Sequence, residues 1–262
     1  MRSVVVEQAI RAPLERIWRA CSSASGLRAW QADDVVGDVA SGAQLMLSWS
    51  ALGVAIPLRV ELVELVGQSA RLVLGAEDSR LLVEVTRGRV ILTHSADFDD
   101  DECAGTLSSW RLSLGTLAHY LEHHDGEPRS VHWAIARAKA SIEDAHAFFT
   151  LPGAQSGWLT RTSSGTGIGD VGSEVALDLA WGGPLTGQVL SHTSPRDVLF
   201  SWRETNESLL ALRTLPSPDT ADERLLIATW SSWGPKPPAL IAQNLNAALA
   251  RLSRILEHRA TA

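Results

Sequence analysis

An α+β fold made twice over is what this 262-residue sequence predicts: two tandem domains, each a curved antiparallel sheet wrapped around a long C-terminal helix. Three observations carry the prediction: an internal repeat, a series of short strand-like segments with no helices between them, and a leucine-striped helix closing each half. The repeat is clearest where GDVASGAQLMLSW (37–49) lies over GDVGSEVALDLAW (169–181), sharing Gly, Asp, Val, Ser, Leu, Leu and Trp without a gap. Upstream, Ala12, Glu15 and Trp30 lie over Ala140, Glu143 and Trp158; downstream, LAHYLEHH (117–124) lies over LSRILEHR (252–259). The expected domains are therefore 1–127 and 128–262. Each is long enough to bury roughly two-thirds of its unfolded surface without a metal or a disulfide.

The elements follow in order. VVVEQAIRA mixes apolar and polar residues at strand density, and Ala12-Pro13 ends it, because proline is tolerated at a helix start and not inside a sheet. Leu14, Ile17, Trp18 and Cys21 then mark one face of a short helix, as Ile142, Ala145, His146 and Phe149 do in the second half. A polar linker carries Trp30 or Trp158 into the glycine turn. Next come LMLSW, PLRVELVEL, ARLVL, RLLVEV and RVILTH, punctuated by Gly67-Gln68, Gly75 to Ser79 and Arg87-Gly88, the pattern of a meandering antiparallel sheet. Trp110, Leu114, Leu117 and Leu121 stripe the first closing helix, and Leu245, Leu249, Leu252 and Leu256 the second; GPKPP (234–238) makes a stiff entry to it. One sheet and one such helix have only each other to cover their apolar faces, and a concave sheet around a helix tends to leave a hollow.

Composition excludes several function classes. The net charge of −7 resides in 1–127, which has eleven arginines against eighteen acids, whereas 128–262 has twelve of each sign. No basic stripe exists, so nucleic acid is not an expected partner. No segment approaches the ~18 apolar residues of a membrane span, and the opening valines are too few for a signal peptide, so the chain is read as cytoplasmic without membrane insertion. Two cysteines without C-x-x-C spacing read as reduced thiols.

Gly167, Gly169 and Gly172 match G-x-G-x-x-G, the dinucleotide fingerprint, but that motif needs a helix behind it. Here Val175, Leu177, Leu179 and Trp181 alternate with polar or small residues, so the glycines mark a turn into a strand. DFDDDE (97–102) has Glu102 and Ser108 where a calcium loop places Gly and Glu, and reads as an acidic turn ahead of a helix, where negative charge is favoured. His119 and His123, four apart, lack a third metal ligand and read as surface residues near a helix C-terminus; no cofactor and no metal are expected. Gly-x-Ser-x-Gly, Ser-x-x-Lys and His-Glu-x-x-His are absent, and no catalytic residues are assigned. Trp49 and Trp181 end the repeated strands on the leucine face, and Trp202, Trp230 and Trp233 enrich the second half in aromatic surface that stabilises a flat hydrophobic ligand.

In combination these residues resemble the START-like (SRPBCC) superfamily, most closely its Activator-of-Hsp90-ATPase-homologue (AHSA1-like) branch. Ala12, Pro13, Glu15, Ile17 and Trp18 match the family's first helix; Trp30 and Ser41-Gly42 match its next landmarks. LTHSADF, with Leu92, Thr93, His94, Ser95 and Phe98, matches its last strand, and Trp110 the opening of its final helix. The second half has Ser141, His146 and Trp230 where that pattern has Pro, Trp and His. The resemblance implies a helix-grip fold with an apolar cavity between sheet and C-terminal helix. It implies no single activity: relatives bind lipids or other hydrophobic molecules, cyclise or dehydrate polyketides, or contact a chaperone.

The expected function is binding of a hydrophobic small molecule, lipid-like or aromatic, by a pseudo-dimer within one chain. Candidate ligand-binding residues are Trp18, Trp49, His94, Trp110, Leu114 and Leu117 in the first half, and His146, Trp181, Trp230 and Leu249 in the second. The alternatives are a polyketide cyclase or dehydratase using His94 or His146 as proton shuttle, and a chaperone-associated interaction module.

Overall fold

A computed structural model describes residues 1–162, 167–220, 222–234 and 239–260; most of the GPKPP entry lies outside the described residues. The chain divides into two compact units, Met1–Arg129 and Ser130–Ala262. In the first, β1 (Arg2–Ala9), α1 (Leu14–Cys21) and α2 (Ala24–Trp30) precede β2 (Asp34–Gly37), β3 (Gln44–Trp49), β4 (Val54–Val66), β5 (Ser69–Ala76), β6 (Ser79–Thr86), β7 (Arg89–Ala96) and α3 (Asp100–His123). The strands form one antiparallel sheet in the order β1-β7-β6-β5-β4-β3-β2.

The second unit runs β8 (Arg129–Lys139), α4 (Ile142–Thr150), α5 (Pro152–Gln155), β9 (Glu174–Asp178), β10 (Pro184–Thr193), β11 (Asp197–Trp202), β12 (Ser208–Pro216), β13 (Glu223–Trp233) and α6 (Ala239–Ala260). Its sheet order, β8-β13-β12-β11-β10-β9, is the first unit's topology without β2. A single bridge, Thr160 to Leu179, stands in place of that strand. Each unit is thus an α+β helix-grip arrangement, with the sheet holding a C-terminal helix against one face. Among the described residues no helix is long and apolar enough to cross a membrane.

Alternation decides which side of each strand faces the helix. In β1, Val4 and Val6 are buried while Val5 between them is exposed. Continuing across the sheet on the same face are Leu92 on β7, Val83 and Val85 on β6, Leu72 and Leu74 on β5, Val60 on β4, and Leu45 and Leu47 on β3, all buried. Leu114, Leu117 and Leu121 of α3 are buried with them. A bulge between Val60 and Leu62 bends β4, as one between Val189 and Ser191 bends β10.

The acidic run ahead of α3 is a helix start. Asp99 Oδ1 accepts the amide of Glu102 at 2.8 Å while Glu102 Oε2 accepts the amide of Asp99 at 2.9 Å, a reciprocal capping box. Ser141 caps α4 in the same way, its Oγ accepting the Asp144 amide at 2.9 Å.

The two units repeat their bonding atom for atom at two landmarks. Trp30 Nε1 donates to the Ala20 carbonyl at 3.0 Å, and Trp158 Nε1 donates to the Phe148 carbonyl at 3.0 Å. Each indole pins its linker to the helix before it. In the glycine turn, the Gly42 amide donates to the Val60 carbonyl at 2.8 Å, and the Gly172 amide to the Val189 carbonyl at 2.8 Å. Both glycines have φ near +90°, at 86° and 89°, a backbone that a side chain strains. Gly172 therefore matches Gly42, and the ungapped sequence match is two residues out of register: Leu45 and Leu47 correspond to Val175 and Leu177. The slip escapes notice in the sequence because a shift of two leaves every side chain on its own face. It leaves Trp181 beyond β9, in the turn formed with Gly182 and Gly183.

Gly187 shows how closely β10 and β11 approach. A Cβ there would stand 2.0 Å from the Ser201 carbonyl oxygen, a backbone atom of β11 that cannot swing away. Gly187→Ala is expected to lower unfolding free energy by about 2–3 kcal/mol in urea titrations, through strand separation and loss of the Gln188 amide bond to Ser201 Oγ.

Candidate functional site

The inner face of the first sheet does not close completely on α3. Between them lies an apolar cavity of about 150 Å3. Its floor is Leu47, Leu58, Leu72, Leu74, Leu81, Val83 and Leu92; Trp49 and Ile56 stand at one side, Cys21, Leu27, Trp30 and Gln31 come from the α1–α2 region, and His94 and Trp110 close the other side. Ile56, 39% exposed, is the most exposed of the lining residues. Burial pushes the Cys21 thiol up to about 12, so Cys21 acts as a small apolar wall residue and not as a nucleophile.

Three polar side chains interrupt this lining: Gln31, Ser79 and His94. His94 Nδ1 meets the indole Nε1 of Trp110 at 3.2 Å, and the ring edges of Phe98 and Trp110 stand 5.1 and 6.0 Å from it, centroid to centroid. An indole N–H only donates, so His94 Nδ1 must accept. The neutral ring therefore carries its proton on Nε2, and burial holds the imidazole below its ordinary pKa, keeping it neutral. Gln31 fixes Trp49 through its backbone carbonyl, which accepts the Trp49 Nε1 proton at 3.0 Å. Its side-chain Oε1 is buried with no partner among the described residues, a condition that costs about 1–3 kcal/mol.

A second hollow, of about 300 Å3, lies at the α1–α2 corner and is lined by charged groups, including Arg19, Arg28, Asp33, Asp125 and Arg129. Asp125 takes Arg16 Nε at 2.5 Å and Arg19 at 2.8 Å. Burial brings the Arg129 guanidinium down to about 10 against the pull of Asp33. The charges answer one another, which leaves the site self-neutralised.

In the second unit the corresponding interior holds larger buried side chains. Phe149, Trp158, Phe200, Trp202, Trp230 and the α6 leucines form one buried cluster. Trp230 takes the strand position of His94: Leu81 pairs with His94 on β6, and Leu210 pairs with Trp230 on β12. Two residues before those leucines stand Ser79 and Ser208. Trp230 Nε1 donates to Ser208 Oγ at 2.8 Å, with the Trp202 ring 6.3 Å away.

His146 on α4 meets His192 on β10, Nε2 to Nε2 at 3.2 Å, with the rings nearly parallel at 22°. His192 Nδ1 faces the Gly169 carbonyl at 3.0 Å, so it must donate there and its Nε2 must accept from His146. This chain of bonds ties α4 and β10 to the glycine turn. Burial first, and the neighbouring His192 second, bring His146 down to about 4. A histidine depressed in the folded state stabilises the fold fully above its unfolded pKa of about 6.5, and loses that contribution as pH falls through about 4. Denaturant titrations from pH 7 to pH 4 are expected to show a loss on the order of 1–3 kcal/mol that His146→Phe flattens.

Of the residues singled out in the sequence, Trp49, His94 and Trp110 meet at the cavity. Leu114 and Leu117 lie deeper, fully buried in the core, and Trp18 is half-buried on α1 away from the lining. Trp230 and Leu249 are core, Trp181 packs against that core from the β9–β10 turn, and His146 joins His192. His119 is buried and His123 exposed, 4.4 Å apart by ring centroid, so only the outer of the two follows the surface reading. Among the floor residues the sequence reading reaches Leu47 beside Trp49; inward alternation on β4, β5 and β6 is the signal for the others there, and nothing in the sequence marks Gln31. Nothing in the spacing pointed to His192, which lies 46 residues from its partner.

No family model matches the chain, and no curated protein does. Solved structures similar to it include the Aha1 dimer from Colwellia psychrerythraea, at 20% identity and a TM-score of 0.41, over 48% of this chain and 100% of that one. The chain is also similar to the di-domain ARO/CYC StfQ from the steffimycin biosynthetic pathway, at 9% identity and a TM-score of 0.40, with both chains covered in full. A third is DynU16, a protein in the dynemicin biosynthetic locus, at 16% identity and a TM-score of 0.40, with 98% of each chain covered.

Proposed function

We propose that this protein holds a small hydrophobic molecule in the cavity of its first unit, between sheet and C-terminal helix, and that the second unit, its cavity position taken by an indole, serves as a closed companion. The observation that carries the reading is the contrast at one strand position, His94 beside a void and Trp230 inside a packed core. The size supports a ligand of one aromatic ring or a short branched chain: an apolar void of roughly 150 Å3 takes up a benzene-sized molecule.

Holding is favoured over turnover. His94 is met by an indole and His146 by a second imidazole, so among the described residues no carboxylate orients either ring for proton transfer. The tandem domains divide near residues 127–130, and the cytosol is the proposed compartment, supported by the free thiols of Cys21 and Cys103. Native mass spectrometry and solvent extraction of the purified chain, with tryptophan fluorescence titration by small aromatics and short lipids, test the reading. A bound compound or a saturable response supports it; no compound and no response across the series overturns it.

A further inference from the structure

The polar atoms of the cavity say more about the ligand than its volume does. Trp110 occupies His94 Nδ1, and no described residue meets Nε2, which carries the proton. His94 is half-buried on this lining, and its Nε2–H is a donor that a ligand in the cavity can meet and that no described residue answers. The Gln31 carboxamide, with Oε1 buried and unmet, lies on the same lining.

We infer that the ligand carries a neutral hydrogen-bond acceptor, a carbonyl oxygen, and that His94 Nε2–H, held in that tautomer by Trp110, donates to it. This rests on the proposed ligand-binding function and narrows it. The proton on Nε2 makes His94 a donor toward the cavity and not a base. Charge is selected against on two grounds: the neutral imidazole offers no counter-charge, and the aliphatic floor provides no solvation for a carboxylate. Gln31 offers a second contact, at which a hydroxyl on the same ligand would donate to Oε1. Hydrocarbon ligands of the same shape leave both groups unpaired, so the site discriminates by what remains unsatisfied.

Three probes of one size read this out on the full chain by calorimetric titration: acetophenone, ethylbenzene and benzoate. The ratio of acetophenone to ethylbenzene affinity is expected to fall about tenfold in His94→Phe and to be restored to within about threefold in His94→Gln, whose amide keeps a donor at the same reach. Benzoate is expected not to bind. Long-range proton–nitrogen NMR of labelled protein reads the tautomer directly, with His94 protonated at Nε2 in the parent and a mixed population in Trp110→Phe. Equal ratios in parent and His94→Phe, tighter binding of benzoate than of acetophenone, or a proton on Nδ1 each overturn the inference while leaving a hydrophobic cavity that binds. Failure of all three probes overturns the binding function together with it.

Discussion

His94→Trp is expected to abolish ligand uptake, lowering affinity at least a hundredfold, while leaving the thermal midpoint within a few degrees of the parent. The second unit is the precedent. Trp230 stands at the matching place on its strand, 2% exposed, and bonds to Ser208. In the first unit Ser79 holds the position of Ser208 and already lines the cavity, so an indole entering at residue 94 has both the space and an acceptor. One bond is lost, because Trp110 Nε1 no longer finds His94 Nδ1; burial of the new ring offsets it. Calorimetric titration and a thermal melt check the two halves of the prediction together. A variant that still binds with parental affinity would show that the ligand lies elsewhere; one that fails to fold would show that the hollow is needed for the fold.

The converse change is expected to have the largest effect on stability. Trp230→Ala should cost about 3–5 kcal/mol, since the truncated indole leaves a void bounded by Trp202, Leu210 and the α6 leucines, strands and helix too well packed to collapse into it. Ser208 also loses the indole donor, although Thr205 stays within hydrogen-bond reach. Added indole should recover part of the loss by refilling the void, raising the midpoint in a concentration-dependent way, as mass action requires of a ligand that binds only the folded state. Urea titration with and without indole measures both. A loss under about 1 kcal/mol would show that the second interior is looser than its buried side chains indicate.

How much of this was readable beforehand differs by element. The capping box at Asp99 and Glu102 was visible as an acidic run before an apolar stripe, because a cap acts within one turn of chain. The leucine stripes of α3 and α6 gave the buried helix faces for the same local reason. His94 and Trp110 stood out individually, yet their bond did not, since it joins a strand to a helix 16 residues on. The repeat is legible in the sequence but two residues out of register, because strand periodicity is blind to a shift of two, and only the bonds of Gly42 and Gly172 reveal the register. Leu114 and Leu117 drew attention as cavity residues, whereas a helical stripe tells which face is covered and not whether the covering layer is complete.

By itself the sequence determined the plan of the first unit: every strand but β2, which face of each points inward, where α1 and α3 begin, and that the plan occurs twice. These depend on periods of two and 3.6 and on groups a few bonds apart. Only the tertiary structure decided that a hollow lies inside the first unit, that Trp110 meets His94 Nδ1, and that His146 is answered by His192. A void is the difference between the space that a sheet and helix enclose and the side chains that several distant strands put into it, and a proton's place on an imidazole depends on whichever group folding brings to its other nitrogen; neither quantity belongs to any short stretch of chain.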